Sequence, residues 1–305
     1  MCTVIAKAGF FGRNLDLERS YDEVVAITPR RFPLRFCHTQ SPETHFALIG
    51  MAHIADGVPL YFDAMNEKGL CAAALRFAQS ARYHEPKPGK QNIASFELIP
   101  YLLSLCDTVK TARALLETVN ITGDAFSPLL SPAPLHWMLA DEKETLVIES
   151  TADGVHLYDN PVGVLTNEPP FPVQSFSLND YMALSPEDPQ NRFLPEEPLL
   201  PYSRGMGALG LPGDWSSPSR FIRAAFVRAH SSVSTPTEFL RLLESTAMPK
   251  GCVRLPSGMV EYTRYSCCCD MHTHTYHYRT YESDRITSVN LTHTDTDTLT
   301  VYPIG

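Results

Sequence analysis

The chain has no apolar run approaching the roughly 18 consecutive residues that cross a bilayer, so no membrane span is expected. It has no cluster of basic residues either. Against 34 Asp and Glu stand 25 Lys and Arg, a formal net charge of -9. Phosphate binding needs clustered cations, so nucleic acid is excluded as the main partner. The opening MCTVIAKAGF lacks the charged start and apolar core of a secretory signal. With no signal ahead of it, Cys2 is not expected to be a lipoprotein anchor. Internal repeats, low-complexity tracts and clear linkers are also missing. The eight cysteines are scattered through a chain too long to need staples. Without an export signal they read as reduced thiols, and the cytoplasm is the expected compartment.

What is present points to a globular protein. Apolar residues at 44% fill a sizeable core, and charged residues at 19% exclude wholesale disorder. One domain over residues 1–305 is expected. Strand-like segments run at 2–8, 46–53, 60–64, 70–77, 136–140, 145–149, 155–158 and 163–166. The turn signals DEKE (141–144) and DNP (159–161) separate some of them and predict hairpins with antiparallel pairing. Residues 69–77 are nearly all apolar or small, as in a strand covered on both faces. Helical spacing covers 95–106, where Pro100 is expected to bend or shorten the helix, and 107–119, with Asp107 or Thr108 as its cap. Two further helices, 217–230 and 235–248, begin with Ser217 or Thr235 before proline, the order of an N-cap and first turn. Residues 171–212 read as a long ordered loop with short elements. Blocks of strands and helix pairs predict an α+β fold, helices packed on antiparallel sheets.

The second residue raises the chemical question. Removal of Met1 would give Cys2 a free α-amine beside its own thiol. An α-amine titrates near pH 8, at roughly 7.7–8.0, so part of it is free at neutral pH to take the thiol proton. The resulting thiolate attacks an amide carbonyl, forms a thioester and returns the proton to the leaving amine. A hairpin would bring Arg13 and Asp16, in FGRNLD, back beside residue 2. Arg13 would favour the thiolate, and Asp16 would orient the amine. Position alone does not decide the matter, because a cysteine starting a strand is commonly a small, buried and inert residue.

Six blocks in order carry a resemblance: MCT followed by FGRNLD (11–16), then MNEKGL (65–70), LHWMLAD (135–141), GVLTNEPPF (163–171) and LPGDWSSPSRFIRAAFVR (211–228). Together with GALGLPGD (207–214) and TYESDRI (280–286), they span nearly the whole chain. The sequence resembles the choloylglycine hydrolase family, which holds bile salt hydrolases and penicillin V acylases, and it looks closer to the former. The resemblance implies an N-terminal nucleophile hydrolase with a four-layer αββα sandwich, no cofactor, no metal and a homotetramer. It implies Cys2 as the nucleophile, with Arg13 and Asp16 beside it. It also implies Asn167 as a side-chain donor to the oxyanion and Arg220 as an arginine near the nucleophile. One position departs from the pattern: Arg76 stands where bile salt hydrolases usually have asparagine and penicillin acylases tyrosine. The main-chain N–H that this position gives the oxyanion survives the change. Its guanidinium would attract an anionic leaving group, such as a glycine carboxylate or taurine sulfonate. Leu15, Phe126 and Leu130 are expected as apolar lining for a steroid or other bulky acyl group, with core packing as the alternative for each. The resemblance also places YSRG (202–205) in the loop that tunes taurine against glycine preference in the family.

CCCDMHTHTYHY (267–278) is the competing cluster, because thiols and imidazoles bind zinc. Zinc sites usually separate paired cysteines by two or more residues, whereas adjacent strand residues face opposite ways. Cys267 and Cys269 are therefore expected on one face and Cys268 on the other, with His272, His274 and Tyr276 alternating after a turn near Asp270. The expected function is hydrolysis of the amide of conjugated bile salts, with penicillin V or another N-acyl amide as the alternative substrate. An inactive binding protein is the expectation if Met1 stays attached.

Overall fold

The computed structural model describes residues 1–292 and 294–304. Strands β1 (Cys2–Lys7) and β2 (Phe10–Leu17) form the first hairpin, with Cys2 opposite Leu15 and Val4 opposite Arg13. The other strands are β3 (Val24–Thr28), β4 (Leu48–Ala55), β5 (Val58–Asn66), β6 (Cys71–Arg76), β7 (Gln91–Ala94) and β8 (Val119–Thr122). They continue as β9 (Leu135–Ala140), β10 (Thr145–Thr151), β11 (Gly154–Asp159), β12 (Val164–Leu165) and β13 (Val253–Arg254). The last four are β14 (Val260–Asp270), β15 (Thr275–Thr280), β16 (Ser283–Asn290) and β17 (Thr300–Pro303). Helices are α1 (Leu98–Leu105), α2 (Val109–Leu116), α3 (Phe171–Ser177), α4 (Ser217–His230) and α5 (Pro236–Glu244).

Two antiparallel sheets organise the chain. The first runs β12-β1-β2-β14-β15-β16, with β13 paired to β14; the second runs β11-β10-β9-β6-β5-β4-β3-β17. The sheets face each other across a core that includes Phe11, Leu15, Met51, Met65, Leu75 and Val147. Helices α4 and α5 cover the outer face of the first sheet, and α1 packs against β4, β5 and β6 on the outer face of the second. This is the αββα sandwich. Phe221 and Phe239 anchor the first helix layer with no exposed area, each burial being worth about 2–3 kcal/mol. Gly12 lets β14 and α5 approach β2, since a Cβ there would fall 1.9 Å from the Cys267 carbonyl oxygen and 2.8 Å from the Phe239 ring. None of the described helices is long and apolar enough to cross a membrane.

Local chemistry sets the helix ends. Pro100 shortens rather than bends its segment: α1 begins only at Leu98, placing proline in the first turn, where its missing N–H has no intrahelical partner to lose. Thr108 caps α2 and Thr235 caps α5, each with its side chain accepting from the third helical N–H. Ser217 is not the cap of α4. Ser216 takes that position and Ser217 is the first helical residue, its hydroxyl used elsewhere. The segment 171–212 holds α3 and two short helical turns, Leu178–Tyr181 and Met206–Ala208.

Candidate active site

The hairpin β1–β2 does what its sequence implied: Arg13 lies beside Cys2. Its Nη2 donates to Cys2 Sγ at 2.6 Å, and its Nη1 donates to the carbonyls of Phe62 and Ala74, each at 2.8 Å. Those two carbonyls belong to β5 and the end of β6, so the second sheet aims an arginine of the first. Arg13 is fully buried. Burial opposes its charge, yet Cys2, Tyr265 and Asp63 around it hold its pKa above the ordinary arginine value. A cation donating to sulfur stabilises negative charge there.

Behind Arg13 is a group of residues that sequence reasoning missed. Asp63, buried on β5, lies 3.9 Å from Arg13 Nε. It accepts from Tyr265 and Tyr276 hydroxyls at 2.6 Å each, and from the Cys267 thiol at 3.4 Å. Burial raises the Asp63 pKa against the pull of Arg13 and these donors. The signal was a lone carboxylate in the strand-like run LYFDAM; a buried charge is costly unless partnered, so the residue marks a partner somewhere in the fold.

Asn167 and Arg220 close the other side of Cys2. Asn167 Oδ1 accepts from Cys2 N at 2.9 Å and from Arg220 Nη2 at 2.7 Å. Arg220 Nη1 donates to the Cys2 carbonyl and, at 2.7 Å, to Thr3 Oγ1. Asn167 Nδ2 donates to the Arg76 carbonyl at 2.8 Å. An amide nitrogen carries two N–H groups, so this contact uses one and leaves one for another acceptor. The Asn167 main chain is held by Ser217 Oγ, which accepts from its N–H at 2.8 Å, and by Gln174 Nε2, which donates to its carbonyl at 2.6 Å. Glu168 accepts from the Gln79 and Ser80 amides, at 2.8 and 3.0 Å, joining this loop to the one that follows Arg76.

With Met1 present, its ammonium donates to the Asp16 carbonyl at 2.7 Å and pairs with the Glu261 carboxylate. The Asp16 carboxylate accepts from Thr263 Oγ1 at 2.6 Å through Oδ1, and its buried Oδ2 has no partner among the described residues. Burial raises the Asp16 pKa, opposed by Arg220 and the Met1 ammonium. Arg76 ends β6 with its side chain exposed. Leu15 is 3% exposed and sits in the inter-sheet core directly opposite Cys2. Phe126 and Leu130 are partly buried on one loop, where Phe126 N donates to the Leu130 carbonyl at 3.1 Å and the Phe126 ring meets Phe96 edge-on. A separate cavity of about 480 Å³ lies at the far end of β1, around Lys7, Glu142 and Arg228.

The cysteine cluster divides as its alternation predicts. Cys267 faces Asp63, and Cys269 interacts with Cys71 on the opposite sheet. His272 and His274 do not alternate along a strand, however. They lie in the turn before β15, where Asp270 accepts from the His272 and Thr273 amides and His274 adopts a φ of 50°.

An αββα sandwich with a cysteine at the head of a strand, its thiol held by one buried arginine and its main chain by a second and by an asparagine, defines the N-terminal nucleophile hydrolase class. Within it the chain belongs to the choloylglycine hydrolase family of linear amide C–N hydrolases, whose family model matches residues 2–302. It is 48% identical to a bile salt hydrolase/transferase of Lactiplantibacillus plantarum, over 100% of this chain and 97% of that one. Its structure matches a variant of the conjugated bile acid hydrolase from Clostridium perfringens with a TM-score of 0.93 and 31% identity, over 100% and 97% of the two chains. The penicillin V acylase from Agrobacterium tumefaciens shares the fold at a TM-score of 0.76 and 18% identity, over 100% and 92% of the two chains.

Proposed function

We propose that the chain hydrolyses the amide bond of glycine- or taurine-conjugated bile salts, with Cys2 as the nucleophile once Met1 is removed. The observation that carries the mechanism is the Arg13 hydrogen bond to Cys2 Sγ. Support for the substrate comes from the likeness to enzymes named for that activity. The freed Cys2 amine takes the thiol proton, and Asp16, with one carboxylate oxygen unpartnered, holds the resulting ammonium. Sulfur bonds to the amide carbon as the C=O opens to an oxyanion. The second N–H of Asn167 Nδ2 and the Arg76 main-chain N–H are assigned to that oxygen. Such preorganised donors are worth about 3 kcal/mol each in the transition state. Collapse breaks the C–N bond, and the ammonium protonates the departing amine. Water then adds to the thioester and releases the bile acid. Arg220, tied to Cys2 O and Asn167, keeps nucleophile and donor in register.

The exposed Arg76 guanidinium is assigned to the carboxylate or sulfonate of the leaving group, and the partly buried Phe126 and Leu130 to the acyl side, while Leu15 takes its core-packing alternative. We further propose one domain over the whole chain, since a single inter-sheet core draws on residues from β1 to β16. A cytoplasmic home is supported by all eight cysteines being free. A homotetramer is supported by large exposed apolar side chains crowded between 171 and 212, among them Phe176, Phe193, Leu200, Tyr202 and Leu209.

Intact mass and a substrate panel test this together. The active protein should lack Met1 and cleave glycocholate and taurocholate faster than penicillin V. Full retention of Met1 in active enzyme removes the free-amine mechanism; preference for penicillin V removes the bile salt assignment. Arg76→Asn should raise KM for both conjugates while kcat changes little, as expected for a contact made equally in ground and transition states.

A further inference from the structure

We propose that His136, backed by Glu149, is a positioning residue that fixes the spacing between the two oxyanion donors; the inference rests on the roles assigned above to Asn167 and the Arg76 main chain. His136 lies on β9 and Glu149 beside it on β10, and neither has any exposed area. The Thr166 carbonyl lies 2.9 Å from His136 Nε2; a carbonyl only accepts, so Nε2 carries a hydrogen and donates it. On the other side, Nδ1 faces Glu149 Oε1 at 3.1 Å. The imidazole lies flat against the Phe77 ring, with centroids 4.3 Å apart and planes 4° from parallel.

Thr166 and Phe77 are the chain neighbours of the two donor-bearing residues. Thr166 precedes Asn167, and Phe77 follows Arg76. One rigid ring therefore touches the residue next to each donor, by a hydrogen bond to Thr166 on one edge and by stacking on Phe77 on one face. Glu149 extends the clamp, because the same Oε1 accepts from the Phe171 amide at 2.9 Å. The pair thus grips both ends of the segment that carries Asn167 and ties it to the second sheet. Ser217 and Gln174 hold the same segment from the helix side.

The identity of the pair argues for this role. A fully buried His and Glu cost more desolvation than apolar residues of equal volume, so stability alone does not call for them at this place. A flat ring with a directed donor sets a distance, which an aliphatic side chain does not.

The test uses the full chain and whichever amide the wild type hydrolyses, so failure on bile salts would overturn the substrate reading alone. His136→Phe keeps the stack on Phe77 and loses the donor. Its kcat should fall by about 100-fold while KM and the rate of Cys2 alkylation by iodoacetamide stay within about twofold, because a hole defect acts on the transition state and spares the nucleophile. His136→Gln, which restores an N–H toward Thr166, should recover about tenfold of that loss. Unchanged kcat per reactive Cys2, even at a lowered melting temperature, would reduce His136 to packing and overturn the proposal. So would alkylation falling in step with kcat, which would place the defect at the nucleophile. Should His136→Phe not fold, Glu149→Gln takes its place, keeping volume and the acceptor for Phe171. It must lower kcat several-fold at unchanged KM, and unchanged kcat overturns the proposal.

Discussion

Cys2 and the Cys267–Cys269 stretch lie in one sheet, all of them buried, and their surroundings oppose each other. Cys2 Sγ accepts a hydrogen bond from a guanidinium. Cys267 donates to a carboxylate, Asp63, and burial together with that carboxylate pushes its pKa well up. Cys268 is raised by burial and by Cys269, and Cys269 by its contact with Cys71 and by burial. The two regions meet at Arg13, whose Nη2 serves Cys2 and whose Nε faces Asp63. Burial alone makes a thiol inert; the cation on one side of this boundary is what sets the surroundings of Cys2 apart from those of core filling.

The largest effect expected from that contrast comes from removing each kind of thiol. Cys2→Ala should lower turnover by at least about 10⁴-fold with the circular dichroism spectrum intact, since the covalent step loses its atom. Cys268→Ala should leave turnover within about twofold and cost about 1 kcal/mol of stability for one small buried group. Iodoacetamide on the native protein, mapped by peptide mass, should modify Cys2 ahead of the three strand cysteines. Turnover surviving in Cys2→Ala would erase the distinction.

A sharper cut goes through Arg13 itself. Arg13→Leu removes the donor to Cys2 and strands the buried Asp63, so alkylation and turnover should both fall by about 100-fold or more, with a stability loss of about 3 kcal/mol. Adding Asp63→Asn removes the stranded carboxylate. Stability should then partly return while alkylation stays low. Recovery of the alkylation rate in the double variant would show that Asp63, rather than the missing cation, had suppressed the thiol.

The contrast also measures what was legible beforehand. Cys2, Arg13 and Asn167 were singled out because chain position and ordered motifs mark them; the first hairpin was expected only as a means of bringing Arg13 and Asp16 back to residue 2, and β2 itself lay outside the strand-like runs. Asp63, Tyr265 and Tyr276 were not found, because they meet across two sheets from positions more than 200 residues apart, and no local period encodes that. His136 and Glu149 stood inside recognised strands as lone ionisable side-chain types among mostly apolar ones, the one hint that the strands buried more than hydrocarbon. Ser217 was legible as a helix-start residue but not as the acceptor for the Asn167 amide, since proline falls at the second helical position and leaves Ser216 to cap. β16 and β17 escaped notice because they are edge strands, mostly exposed, and carry no apolar alternation. β3 escaped because its five residues lie between charged neighbours.

The smallest expected effect concerns the inert thiols at alkaline pH. Cys268 is an acid whose folded pKa lies above its unfolded value, chiefly through burial. In the window above the unfolded value the native thiol keeps its proton and the unfolded one loses it. Its contribution is therefore fully present below the unfolded pKa of about 8.5 and is lost as pH rises, at up to about 1.4 kcal/mol per pH unit. Urea unfolding of wild type under reducing conditions should show stability falling between pH 8.5 and pH 10 (roughly the thiol range). Cys268→Ala starts lower at pH 7, having lost a buried group, but lacks this titration, so the two curves should converge across the window. Curves that stay parallel would mean that Cys268 ionises alike in both states, and that its burial, unlike the cation at Cys2, does not set its chemistry.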